Sequence, residues 1–221
     1  MKEQYFHPDR IESEAAAMRS DCEPARWRAT RPISLARPAL LVLDMQRYFL
    51  ESDSHAFIPS AEAILPGLGL LIGHFYRHNL PAVFTRHINT PQDAGMMSTW
   101  WHDLIDPHNP LSAIVPALDV SRGFVLTKTQ YDVFYKTTLA EWLSKQGVTQ
   151  VIIAGVMTHL CCETSARSAF VHGFEVFFLV DGTATYNEAF QRASLLNLAH
   201  GFARLVLVDE IVAAVERNDA G

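Results

Sequence analysis

The stretch QVIIAGVMTHLCCETSARSAFVHGFEVFFLVD, residues 150–181, holds a complete strand–helix–strand unit. QVIIAG (150–155) is a short, almost continuous apolar run, as a strand buried on both faces would be. HLCCETSARSAFVHG (159–173) reads as a helix closed by Gly173, and EVFFLVD (175–181) returns to a buried strand. Two apolar strands joined through a helix form the βαβ unit of a parallel sheet.

The same alternation extends in both directions. Upstream, ALLVLD (39–44), PAVFT (81–85) and GFVLTK (123–128) read as strands. AEAILPGLGLLIGHFYRHN (61–79), stopped at Asn79, and TLAEWLSKQG (138–147), closed by Gly147, read as helices. Downstream, NEAFQRASLLNLAHG (187–201) is a helix closed by Gly201, and ARLVLVD (203–209) is a last strand before a short terminal helix. There is no internal repeat. The expected fold is α/β, a three-layer doubly wound sheet of about six parallel strands over residues 38–221, with helices on both faces. Residues 1–37, with Pro24, Trp27 and Pro32 among charges and no clear period, are expected to form an arm that packs on this domain.

Composition excludes several roles. The chain has 221 residues, 49% hydrophobic and 19% charged, with a net charge of −6 and no basic cluster. Nucleic acid is therefore not an expected partner, because phosphate contacts need clustered Lys and Arg. Apolar runs fall far short of the roughly 20 residues of a membrane helix, so no membrane association is expected. The polar amino terminus does not read as a secretory signal. The three cysteines are odd in number, and the adjacent Cys161 and Cys162 are poorly placed for a disulfide framework. A reduced, cytoplasmic protein is the expectation.

Doubly wound sheets bind ligands beyond the carboxyl ends of their strands. Those ends carry Asp44, Thr85–Arg86–His87, Lys128, Gly155 onward and Asp181. Asp44, Lys128 and Cys161 converge there despite their distance in sequence. A cysteine in the first turn of a helix, beside an ammonium, is favoured as the nucleophilic thiolate. A carboxylate can take the thiol proton and pass it to a leaving amine, and backbone N–H groups of the GVMT turn can stabilise an oxyanion. Each residue also has a plain structural role open to it: Asp44 as a cap, Lys128 as a solvated charge, Cys161 as core packing.

Three segments resemble signatures of the isochorismatase-like cysteine hydrolase superfamily: ALLVLDMQRYF (39–49), VLTKTQYDVF (125–134) and VIIAGVMTHLCCETSARSAFVHGFEVFFLVDGTAT (151–185). NEAFQRASLLNLAHGFA (187–203) is similar to the family segment that follows them. The resemblance runs from Ala39 to the end of the last strand. It implies a six-stranded parallel sheet, a homo-oligomer (dimer or tetramer) and a catalytic triad of Asp44, Lys128 and Cys161. It also implies a cis Val156–Met157 peptide, with the amides of Met157 and Cys161 directed at the oxyanion. Cys161 falls on the family's nucleophile position, and Cys162 falls where many members have a small apolar residue, which implies packing.

The implied activity is hydrolysis of a C–N bond in a small amide, carbamoyl or ureido compound through a thioester. Isochorismatases resemble the D-M-Q-x-Y-F and H-x-x-C stretches here, but typically have glycine at the nucleophile position, where this chain has Cys161. Vinyl-ether hydrolysis is the alternative activity, and a non-catalytic or redox-sensing member is the alternative of a different class. Nicotinamidases carry a D-x-H metal motif after the second strand, where this chain reads TRHINTPQDAG (85–95). His87, His102 and His159 lack a metal-ligand spacing and are expected to be polar pocket or surface residues, with no metal and no cofactor.

A small-molecule site is expected to be mostly apolar with a few placed polar groups. Gln46, Phe49, Tyr131 and Phe134 adjoin the matched motifs and are candidate lining residues, and His159 is a candidate polar one. MMSTWWHDLI (96–105) lies in a long connection, so Trp100 and Trp101 could wall the pocket or an interface. Arg86 could clamp a substrate carboxylate or serve in a structural ion pair.

Overall fold

The unit at 150–181 forms the middle of the sheet in a computed structural model that describes residues 1–22, 32–101 and 103–218. Strand β4 (Gln150–Val156) runs between β1 (Pro38–Leu43) and β5 (Glu175–Ala184), all three almost wholly buried. Beyond them lie β2 (Ala82–His87) and β3 (Phe124–Lys128) on one side and β6 (Arg204–Val206) on the other. The order is β3-β2-β1-β4-β5-β6, and every named strand pair is parallel. This is the expected doubly wound sheet. The chain reverses direction across the sheet between β1 and β4, which is where such sheets open a ligand crevice.

With this strand order, the right-handed crossovers usual in parallel sheets divide the helices between the two faces. Helix α3 (Leu65–Arg77), between β1 and β2, packs with the terminal α8 (Val208–Asn218). On the opposite face are α5 (Leu139–Lys145), α6 (Glu163–Val171) and α7 (Glu188–Gly201). Single turns α2 (Arg47–Leu50) and α4 (Met97–Trp100) lie in the connections above the strand ends. Among the described residues no helix is long and apolar enough to cross a membrane.

Several boundaries differ from the sequence reading. The expected helix at 61–79 opens with a 3₁₀ turn, Glu62–Ile64, before α3. The expected last strand at 203–209 stops at Val206, because Glu210 accepts from the Leu207 N–H and starts α8. Strand β5 continues past Asp181 to Ala184. Within the amino-terminal residues, α1 (Ile11–Cys22) is helical and packs on β5 and α7 through buried Ala15, Met18 and Cys22. Pro24 and Trp27 lie outside the described residues, as does His102.

One glycine is required by the crevice. Gly155 has φ +107° where β4 shifts register against β5, and a Cβ there would sit 2.0 Å from the carbonyl oxygen of Leu43. Only a residue without a side chain lets β4 run this close to the end of β1.

Candidate active site

Three successive strand ends and the turn after β4 build one cluster. At the end of β1, Asp44 takes a left-handed backbone conformation, φ 52°, which aspartate tolerates better than most residues. Its N–H donates to Thr85 Oγ1 at 3.0 Å, and the same hydroxyl donates back to Asp44 Oδ1 at 2.5 Å. Asp44 Oδ2 lies 2.7 Å from Lys128 Nζ. Lys128 stands two strands away at the end of β3. Its long side chain spans the end of β2, where His87 lies between them.

The Lys128 ammonium faces more acceptors than it has protons. Besides Asp44 it lies 3.0 Å from the Gln130 carbonyl, 3.3 Å from His87 Nδ1 and 3.3 Å from Cys161 Sγ. Asn89 fixes the histidine tautomer. Its amide nitrogen donates to the Thr129 carbonyl at 2.8 Å, so its oxygen, 2.7 Å from His87 Nε2, accepts from that ring nitrogen. Nδ1 of His87 is then an acceptor facing Lys128. Burial, and next the Lys128 charge, push His87 down to about 4, so the ring is neutral at pH 7.

The charge states follow from the pairing. Burial pushes the Asp44 carboxyl up, but the Lys128 charge and then His87 outweigh it, and the group stays below the ordinary carboxylate range. Burial lowers Lys128, but the Asp44 charge above all, with Cys161 after it, more than reverses this, so it remains an ammonium. Cys161 behaves differently from the expectation of a resting thiolate. Burial pushes it up to about 12, and Lys128 offsets only part of that while Asp44 adds to it. Cys161 also lies in a π-helical turn, Thr158–Cys162, that precedes α6, and not in the first α-helical turn. The resting group is a buried thiol beside a carboxylate.

The neighbouring Cys162 has a separate environment. It is fully buried in the main hydrophobic core, its thiol donates to the Ala154 carbonyl at 3.9 Å, and burial raises its pKa well above the usual value. The Val156–Met157 peptide is cis and enters the same turn.

Cys161 opens onto a cavity of about 560 Å³, including its mouth. Tyr48, Phe49, Trp101, Tyr131, Met157 and Tyr186 give it a largely aromatic wall, and His87 and Asn89 are its polar groups nearest the cluster. The Trp101 indole N–H donates to the Tyr131 hydroxyl at 2.7 Å, fixing both rings.

Several candidate lining residues lie elsewhere. Gln46 is fully buried beneath the cavity, where its side chain accepts from the His87 N–H at 2.7 Å and donates to the carbonyls of His87 at 3.1 Å and Ser112 at 2.8 Å. Arg86 donates to the carbonyl and hydroxyl of Ser112, and among the described residues it has no ion pair. Phe134 packs tilted against His172 and stacks with Phe174, and His159 bonds to Thr185 Oγ1 at 2.5 Å and stacks on Phe190. Trp100 is 74% exposed, and Trp101 takes the wall position. Asp181, at the strand-end rim by sequence, instead accepts from the Val208 N–H at the start of α8. The sequence reading does not single out Tyr48 or Tyr186; Tyr48 lies inside the DMQRYF motif, which could have signalled it, while Tyr186 is the single residue between the matched segments 151–185 and 187–203.

Asp44, His87 and Cys161 bring three donor atoms within 4.8 Å of one another, a spacing that could hold a metal ion. The donor set does not fit a cation. The Lys128 ammonium already contacts all three residues, and a second positive charge there would oppose it.

An isochorismatase domain model matches residues 38–210. Nicotinamidase 3 of Arabidopsis thaliana is 42% identical over 178 residues, covering 78% of this chain and 86% of that protein. The crystal structure of a cysteine hydrolase from Pseudomonas syringae pv. phaseolicola superposes with a TM-score of 0.81 at 25% identity, over 86% of this chain and 97% of that one. A pyrazinamidase of Pyrococcus horikoshii, solved in complex with zinc, gives a TM-score of 0.71 at 26% identity, over 78% of this chain and 99% of that one.

Proposed function

The chain belongs to the isochorismatase family, and from that premise we propose that it is a cysteine hydrolase of a small planar aromatic carboxamide, of the nicotinamide type. The observation that carries this reading is the Asp44–Lys128–Cys161 cluster at the base of an aromatic-walled cavity. The name of the 42% identical relative supports the same bond type. Flat aromatic walls such as Trp101, Tyr131 and Tyr186 suit a ring that stacks with offset or edge contacts.

In this reading Asp44 Oδ2 takes the Cys161 proton as sulfur attacks the amide carbonyl. The carbonyl π pair becomes an oxyanion, held by the amides of Met157 and Cys161. Asp44 then gives its proton to the departing nitrogen, the C–N bond breaks, and ammonia leaves a thioester on Cys161. Water attacks the thioester while Asp44 takes one of its protons. Collapse releases the carboxylic acid, and sulfur recovers its proton. Lys128 stays charged throughout. It keeps Asp44 ionised until the thiol proton arrives, and donates to sulfur when negative charge develops there. His87 stays neutral and offers Nδ1 as a further acceptor to the ammonium.

The test is ammonia release from nicotinamide, benzamide and a ureido acid, with pyruvate release from isochorismate run in parallel. Nicotinamide is the expected best substrate, and mass spectrometry of a quenched turnover should find an acyl adduct on the Cys161 peptide. Pyruvate release without ammonia release would replace this reading with vinyl-ether hydrolysis.

A further inference from the structure

Residues 1–6 precede the part of the chain matched to the family domain, which begins at residue 38. They do not line the cavity, but they bond to two segments that wall it. One is the connection after α2, which carries His55 and Ala56; the other follows β5 and carries Tyr186.

The bonds to the first segment come from backbone and side chain alike. The N–H groups of Tyr5 and Phe6 both donate to the buried Ser60 hydroxyl, at 2.9 and 3.1 Å. The Lys2 ammonium donates to the His55 carbonyl. On the second segment, the Glu3 N–H donates to the Tyr186 carbonyl at 2.9 Å. The Thr185 N–H donates to the Tyr5 hydroxyl at 2.9 Å, and the Glu188 N–H donates to the Glu3 carboxylate at 2.9 Å. Lys2 is the side chain that touches both walls next to the cavity itself, because its ammonium also lies 4.6 Å from the centre of the Tyr186 ring.

We propose that this amino-terminal segment is a clasp that sets the width of the cavity, and that Lys2 is its specificity-determining positioning residue. Lys2 ties the Tyr186 ring and the His55 backbone to one cation. Beside the bonds of Glu3, Tyr5 and Phe6, this cation is thus a further tie between the two connections, at the edge of the cavity. Lys2 touches no reacting atom. Its effect is on which molecules reach Cys161 and how tightly a flat ring is held, not on proton transfer.

The test has two arms, and only the second rests on the amide-hydrolase reading. In the first, Cys161 alkylation is followed by peptide mass mapping with a small reagent, iodoacetamide, and a bulky one, N-(1-pyrenyl)maleimide. Lys2→Ala should raise the ratio of bulky to small reactivity by about two- to fivefold, the range expected from losing one exposed cation–π contact. Lys2→Arg, which keeps a cation over the ring and a donor toward the His55 carbonyl, should restore the ratio. In the second arm, Lys2→Ala should raise KM for nicotinamide by a similar factor with kcat within about twofold, as expected for a loss of uniform binding. An unchanged or lower reactivity ratio in Lys2→Ala overturns the clasp. A wild-type protein that releases no ammonia overturns the substrate reading and leaves the first arm decisive.

Discussion

Lys128 Nζ lies 2.7 Å from Asp44 Oδ2, with both side chains wholly removed from water although they come from strands two places apart in the sheet. A pair of this kind is costly to break and cheap to replace. Asp44→Ala leaves the ammonium buried without its countercharge and is expected to destabilise the fold by about 3–5 kcal/mol. The double variant Asp44→Leu/Lys128→Met should recover most of that loss and hydrolyse nothing. Urea unfolding and ammonia release, measured on the same preparations, separate the two effects. A double variant as unstable as Asp44→Ala would mean that the destabilisation came from lost packing and not from an uncompensated charge.

The adjacent cysteines should part company on substitution. Cys161→Ala should abolish thioester formation and turnover, with little change in stability because the thiol faces the cavity. Cys162→Ala should retain most of the activity but lose about 1–2 kcal/mol, because its sulfur is packed in the closed core. Since the resting Cys161 is protonated, its alkylation rate should also keep rising with pH through the alkaline range, with no plateau near neutrality. A plateau at pH 7 would identify a resting thiolate.

The parts of this arrangement that were legible in sequence are those written locally. Apolar runs such as VIIAG and FFLV mark strands, and a carboxylate after LLVL or a lysine after FVLT marks a strand's carboxyl end. Strand ends gather on one rim in a parallel sheet, so the grouping of Asp44, Lys128 and Cys161 followed from the fold class together with the family resemblance. The cavity wall was less legible. His55, Trp101 and Tyr186 come from three connections whose meeting depends on contacts between loops, and no periodicity encodes those contacts. Phe134 and Arg86 adjoin motifs but point to partners that spacing does not reveal, His172 and Ser112. The protonated state of Cys161 was hidden for another reason: it is set by burial, which is a property of the assembled site.

Gly155 is the most constrained position bordering the site. Its φ of +107° is strained for any L side chain, and a Cβ would sit 2.0 Å from the Leu43 carbonyl oxygen. Gly155→Ala should therefore push β4 away from β1 at the point where Asp44 leaves the sheet. The expected cost is more than about 3 kcal/mol, beyond the range of ordinary substitutions. Gly69→Ala, at an open site on α3, is the control and should be neutral or slightly stabilising. Comparable melting temperatures for the two variants would refute the close approach.

Asp181 links stability to pH away from the active site. Burial pushes its carboxyl up to about 7, the Val208 N–H opposes this, and Asp209 and Glu210 add to it. The native state thus holds a proton that the unfolded chain, with an aspartate pKa of about 3.9, has already lost. The stabilisation is fully present below that unfolded value, declines as pH rises toward about 7, and is gone above it. Asp181→Asn stays neutral throughout, and its amide oxygen can still accept from the Val208 N–H. The variant should therefore melt above the wild type at pH 8, by about 5–10 °C if roughly 2–4 kcal/mol is at stake. The gap should close as pH falls toward 4. His87 changes stability in the opposite sense, since its lowered pKa costs the native state as pH falls from about 6.5 toward 4. Both proteins carry His87, so the difference between their melting temperatures isolates Asp181. A gap of constant size from pH 4 to 8 would show that Asp181 is ionised in the native protein across that range.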